Sequence, residues 1–276
     1  MTAGAALAAG RAPSPGATLE LAPASPGGTL AGDLAAALDP VELARAAGLE
    51  PDPWQAEVLR SVASRVLLNC SRQSGKSTST AVLALHEALF HPGALVLLLS
   101  PSQRQSAELF RKVLALYRAL AYPVPSEAET GLRLELPSGS RILSLPGREG
   151  TIRGFSGVRL LAIDEAARVA GDLYYAVRPM LAVSGGRLVA LSTPFGNRGW
   201  WYEAWAKGGD QWELFEVPAS ECPRISAEFL EEERASLGEW WYRQEYECQF
   251  LDAETQAFRR EDVDNAFTEE VAPWAL

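Results

Sequence analysis

Three cysteines and two histidines are all that the 276 residues offer for disulfides or soft-metal chemistry. Cys70, Cys222 and Cys248 are too widely spaced for a disulfide framework or a four-thiolate zinc site, and His86 and His91 lack the spacing of metal ligands. A reducing cytoplasm fits that usage. No apolar run approaches the roughly 20 residues needed to span a bilayer, and the first residues lack the compact apolar block of a secretion signal, so no membrane association is expected. Positive charge is also in deficit. The formal net charge is −10, whereas proteins that grip DNA by its phosphates usually carry an excess of Lys and Arg. DNA is not thereby excluded, because a transient grip needs only a local basic stripe, and overall acidity discourages stalling on non-specific DNA.

What is present is core material. A hydrophobic fraction of 47% and eight tryptophans suffice for one large domain or two modest ones. Residues 1 to about 30, rich in Ala, Gly, Pro and Ser, read as a flexible tail. Two short helices follow, with Asp39 as N-cap, Pro40 at the first helical position, and a second helix starting near Trp54 after Pro51 and Pro53.

From Arg65 the texture changes to short apolar runs alternating with helices: RVLLNCS (65–71), ALVLLLS (94–100), VRLLAIDEA (158–166) and GRLVALSTP (186–194). Helices are expected from Lys76 to about Leu89, over 103–121 and over 172–182. A hairpin is expected around Pro137-Ser138-Gly139. Apolar runs without polar alternation are strands covered on both faces. The fold class is therefore α/β, a doubly wound, mostly parallel sheet flanked by helices. After Pro194 come charged, aromatic helices (199–207, 227–237 and 239 to about 249) with one strand, WELFEVPA, expected as a smaller lid beside the sheet. The division is then a tail (1–30), a core (31–196), a lid (197–260) and the start of a linker (261–276).

The chemical signal is Ser71-Arg72-Gln73-Ser74-Gly75-Lys76-Ser77-Thr78, between a strand and a helix. Successive backbone N–H groups opening a helix form an anion cradle; Lys76 can reach outer phosphates, and the Ser77 hydroxyl can ligate Mg²⁺. The first Gly of the usual phosphate-loop pattern is replaced by Cys70. A second signal is Leu160-Leu161-Ala162-Ile163-Asp164-Glu165, an apolar strand ending in two carboxylates. Such a strand is expected beside the phosphate loop, giving Asp164 to the metal and Glu165 to the water that attacks the γ-phosphate.

Over roughly residues 50 to 265 these motifs resemble the large subunits of tailed-phage and herpesvirus-type terminases. That family's phosphate loop lacks the first Gly and carries an Arg two residues before Ser-Gly-Lys, where Arg72 stands. Pro53-Trp54-Gln55 resembles its adenine-binding segment, with Gln55 expected to pair with both polar edges of adenine and Trp54 to offer a flat surface. Ser192-Thr193-Pro194 resembles its coupling motif. Thr151-Ile152-Arg153-Gly154 resembles the segment bearing an arginine that reaches the neighbouring subunit's ATP, with Arg148 as a competitor for that role. Glu239 to Phe250 resembles the end of its ATPase region, its aromatics expected as lid packing.

The resemblance implies a RecA-like P-loop ATPase using ATP and Mg²⁺. Its partners would be double-stranded viral DNA, a portal protein and a small terminase subunit. It implies a homo-oligomeric ring, pentameric on the procapsid and monomeric in isolation, in the cytoplasm of an infected host cell. Arg72 and Arg153 would act on the transferring phosphoryl group in cis and in trans. No nuclease is expected within this chain. The competing readings are a superfamily 2-type helicase or translocase fragment, which would need a second RecA-like domain, and a non-hydrolysing nucleotide-dependent assembly module.

Overall fold

A computed structural model describes residues 29–121, 123–147, 152 and 154–252. The chain enters through three short helices, α1 (Leu30–Leu38), α2 (Pro40–Ala46) and α3 (Pro53–Arg60), one more than the sequence suggests before the sheet begins. The division between α1 and α2 is local chemistry. The Asp39 carboxylate accepts from the Val41 N–H at 2.9 Å, and Pro40 fills the first helical position, where no N–H is required.

The sheet strands are β1 (Arg65–Cys70), β2 (Leu95–Ser100), β3 (Ala128–Glu129), β4 (Arg133–Glu135), β5 (Arg141–Pro146), β6 (Val158–Asp164), β7 (Arg187–Ser192) and β8 (Glu213–Val217). Their spatial order is β3-β4-β5-β2-β6-β7-β1-β8. The six neighbouring strands from β5 to β8 run parallel, and only the β3–β4–β5 meander at one edge is antiparallel.

Burial on both faces explains the unbroken apolar runs. In β1, Val66, Leu68 and Cys70 join a core under α2, α3, α4 (Lys76–Phe90) and α5 (Gln103–Ala119), whereas Leu67 faces the opposite core. β2 divides likewise: Val96 and Leu98 on the first face, Leu95, Leu97 and Leu99 on the second. The second core is closed by α6 (Gly171–Val177) and α7 (Gly199–Lys207). There Trp200 stacks on Tyr174 with ring centroids 4.0 Å apart, and its indole N–H donates to the Val169 carbonyl. The expected helix over 172–182 is α6 followed by a 3₁₀ turn, Arg178–Leu181, with Pro179 at the break.

One expectation about the sheet needs correction. WELFEVPA is not the strand of a separate lid. As β8 it pairs in parallel with β1, from Val66 opposite Glu213 to Cys70 opposite Val217, so the sheet continues past residue 196. The physical reason is that β1 would otherwise present an open edge of unpaired backbone groups beside the phosphate loop. Among the described residues only α8 (Ala227–Leu237) and α9 (Glu239–Glu245) lie beyond the sheet as a helical pair. The tip of the Asp-Glu strand β6 lies beside the phosphate loop, as expected, with Lys76 Nζ 3.5 Å from Glu165 Oε1, although β7 stands between β6 and β1 in the sheet. The tail up to residue 28 and the expected linker (261–276) lie outside the described residues.

Gly186 is demanded by close approach rather than by turn geometry. A Cβ there would lie 2.0 Å from the Val158 carbonyl oxygen and 3.0 Å from that of Arg159, at the point where β7 enters beside β6. Gly186→Ala is accordingly expected to destabilise the fold by about 1–3 kcal/mol in denaturant unfolding. Gly131→Ala, at a site where a Cβ meets nothing within 4 Å, is expected to change stability by no more than about 0.5 kcal/mol.

Candidate functional site

The turn from β1 into α4 is built to leave N–H groups free. The amides at its entry are used: Ser71 N–H donates to the Val217 carbonyl at 2.9 Å, and Arg72 N–H to the Glu245 carbonyl at 3.0 Å. Beyond them, the N–H groups of Gln73, Ser74 and Gly75 have no acceptor among the described residues. The first turn of α4, beginning at Lys76, adds further donors that no intrahelical carbonyl can reach. Gln73 (φ 61°) and Gly75 (φ 97°) adopt left-handed conformations, the kind of backbone from which anion-binding nests of successive amides are made. At Gly75 the requirement is also steric, since a Cβ would lie 2.7 Å from Gln55 Nε2 and 2.9 Å from Arg224 Nη2.

Carboxylates face this cradle. Lys76 Nζ lies 3.5 Å from Glu165 Oε1, and the lysine is buried at 8% exposure. Asp164 sits one residue earlier at the tip of β6, accepting the Glu165 N–H at 3.1 Å. Burial, together with the adjacent Glu165 charge, pushes the Asp164 carboxyl up to about 6. Burial makes the ionised Asp164 carboxylate costly, and a cation bound beside it would lower that cost. β7 ends between the two motifs. Ser192 is fully buried with its hydroxyl unpartnered among the described residues, and Thr193 lines the cleft.

The cleft over the loop encloses about 490 Å³ and brings together Arg72, Gln73, Gly75, Lys76, Ser77, Thr78, Glu165 and Thr193. Of the predicted groups, Ser71 and Ser74 are buried behind it at 0% exposure. Three cleft residues were not legible in the sequence: Gln105 and Lys112 on α5, and Arg168, whose guanidinium lies 4.3 Å over the Phe195 ring. Glu245 was also missed. It accepts from Arg72 Nε at 2.5 Å, so the arginine of the loop is held by a carboxylate 173 residues later in the chain.

A second cavity of about 200 Å³ opens on the far side of the loop, sharing Gly75 and Thr78 with the first. Leu49, Pro51, Leu59 and Val82 form its apolar wall, and Gln55 and Arg224 supply polar groups. Trp54 does not line it. The indole is buried at 7% exposure in the core with Val41 and Val58, because position 54 points toward α2 and the sheet. Gln55 is present, but its carbonyl oxygen already accepts the Asp52 N–H at 2.9 Å, closing the start of α3. Only its Nε2 is left for the cavity, not both polar edges. Arg153, Arg148 and Thr151 lie outside the described residues; Ile152 between them is buried at 1% exposure.

An amide cradle opening a helix, with a carboxylate-tipped strand two places away in a parallel sheet, is the arrangement that defines P-loop proteins of the RecA-like type. The comparisons with known proteins narrow this class. The family "Terminase large subunit, T4likevirus-type, N-terminal" matches residues 67–264, and the chain belongs to it. The terminase large subunit of Thermus virus P23-45 is 27% identical over 252 residues, covering 78% of this chain and 52% of that protein. That of Escherichia phage T5 is 25% identical over 222 residues, covering 76% and 50%. The chain thus spans about half the length of the curated relatives it matches. Among solved structures, the large terminase ATPase domain of Thermus phage P74-26 superposes with a TM-score of 0.67 at 24% identity, over 75% of this chain and 97% of that one. The large terminase of a thermophilic bacteriophage in complex with ADP gives 0.57 at 13% identity, over 72% and 53%. Family membership sets aside the helicase alternative.

Among the described residues there is no cluster of three or more His, Cys, Asp or Glu side chains able to hold a metal by themselves, and no helix long and apolar enough to cross a membrane. The Asp164 carboxyl sets a pH signature for the nucleotide-free protein. Its raised folded value means the folded state holds a proton that the unfolded chain releases near pH 4, so stability falls as pH rises from about 4 to about 6 and then levels off. Asp164→Asn is expected to raise the melting temperature by roughly a few degrees at pH 8 in chelating buffer, with the gain vanishing toward pH 4.

Proposed function

We propose that this chain is the ATP-hydrolysing motor region of a phage DNA-packaging terminase. The observation that carries the reading is one cleft lined by Gln73, Gly75, Lys76 and Ser77 of a loop whose Gln73–Gly75 amides have no acceptor among the described residues, together with Glu165 3.5 Å from Lys76 and adjacent to the buried Asp164. The residues fit a magnesium nucleotide. Ser77 hydroxyl and Asp164 carboxylate are hard oxygen donors, and so small a protein donor set suits Mg²⁺, which keeps several waters and takes phosphate oxygens as ligands. Mg²⁺ held there would neutralise charge on the β- and γ-phosphates.

The chain's own groups then divide the work. The cradle amides and Lys76 bind the phosphates. Lys76 exchanges its contact with Glu165 for the outer phosphates, which leaves that carboxylate free to orient the attacking water and hold its proton. Arg72, which lines the cleft with its side chain 59% exposed, would contact the γ-phosphate in cis. Ser192 and Thr193 would register the loss of that phosphate, and α8 and α9 would carry the movement onward. By family resemblance, Arg153 acts in trans within a ring. The ring would encircle double-stranded viral DNA at a portal, assisted by a small terminase subunit.

Glu165→Gln is expected to lower steady-state ATP turnover by about 10²- to 10⁴-fold while ATP binding, read by equilibrium dialysis, persists. Unchanged turnover would favour a module that uses ATP only for assembly. If Arg153 completes a neighbour's site, wild-type turnover per subunit climbs with protein concentration and Arg153→Ala stays flat; a flat profile in both argues against a shared site.

A further inference from the structure

The base-side cavity has a wall that no local motif supplies. Arg224 lies in the connection between β8 and α8, 150 residues after the phosphate loop, yet its guanidinium is docked against that loop. Nη1 donates to Asp52 Oδ1 at 2.8 Å; Nη2 donates to the Ser74 carbonyl at 2.8 Å and lies 2.8 Å from Asp52 Oδ2. The planar group is therefore held at two points, one on the N-cap of α3 and one on the cradle itself. Its side chain remains 49% exposed and lines the cavity opposite Leu49, Leu59 and Val82. An apolar surface on one side and a fixed flat cation on the other form a slot for a planar, electron-rich ring. The slot joins the phosphate cleft at Gly75 and Thr78, where the ribose of a bound nucleotide would pass.

The geometry points to Arg224 as a nucleotide-binding residue that holds the purine base by stacking and N–H donation, an inference that rests on the nucleotide reading of the cleft. Gln55 cannot do this alone. Its carbonyl is committed to the Asp52 N–H, and its remaining amide donor approaches Gly75, so the base needs a second polar partner. Lysine cannot replace the arginine, since one ammonium on a flexible stem has neither the flat face nor the fork that spans Asp52 and Ser74. Arg224 also makes the connection after β8 part of the binding site. Nucleotide occupancy is thereby linked to the segment that leads into α8.

The test compares two probes, ADP and inorganic tripolyphosphate, the second of which has phosphates but no base. Titration calorimetry with wild type, Arg224→Met and Arg224→Lys is expected to show ADP affinity weakened about tenfold or more in both variants. Tripolyphosphate affinity should fall by a much smaller factor than ADP affinity, even where loss of the contacts to Asp52 and Ser74 lowers the nucleotide-free melting temperature. Equal weakening of both probes would mean that Arg224 acts only by shaping the phosphate loop and would overturn the inference, as would unchanged ADP affinity. Lys76→Ala provides the separate control on the underlying reading, because it should lose both probes. A wild-type protein that binds neither probe removes the nucleotide reading, and the role of Arg224 with it.

Discussion

A loop that must offer its backbone N–H groups to an anion cannot spend them on itself, so something else has to hold it in shape. Here the hold comes from later in the chain. β8 takes the Ser71 N–H, the end of α9 takes the Arg72 N–H, and Arg224 donates to the Ser74 carbonyl, while the amides of Gln73, Ser74 and Gly75 have no acceptor among the described residues. Left-handed backbone at Gln73 and Gly75 is the local cost of that arrangement, tolerated because the surrounding contacts determine it from both sides. The parallel sheet matters chiefly as the frame that brings these distant segments to the ends of β1 and β6.

Electrostatics follow from the same frame. Placing Asp164 at the buried tip of β6 raises its proton affinity, and placing Glu165 beside Lys76 occupies both charged groups with each other. The site is thus charged and partly self-neutralised, with the Asp164 carboxylate made costly to ionise by its burial. A magnesium triphosphate would lower that cost. Arg72 and Glu245 form a second such pair, with the carboxylate at 7% side-chain exposure and the arginine reaching into the cleft. Each pair keeps a charged side chain near the cleft without leaving its charge uncompensated.

Much of this was legible locally. The strands from Arg65, Leu95, Val158 and Arg187 announce themselves as apolar runs because both faces of the sheet are covered, and the turn at Ser71–Thr78 is a contiguous segment whose chemistry needs no remote partner to be recognised. Asp39-Pro40 marks a helix start for the same reason, the cap and the residues it serves being neighbours. Local sequence misleads where a residue's role depends on what packs against it. Trp54 was expected against the base, but its indole lies in the core; Gln55 was expected to offer both amide edges, but the carbonyl closes a helix end.

Residue order alone therefore determined the fold class, the phosphate loop, the carboxylate pair and the family, since each is a short segment whose backbone preference and side-chain chemistry coincide. Tertiary structure alone decided that β7 separates β1 from β6, that WELFEVPA completes the main sheet, and that Arg224 and Glu245 meet the loop from 150 and 173 residues away. Those pairings depend on which edge needs covering and which buried polar group needs a partner. Neither condition exists until the sheet is assembled.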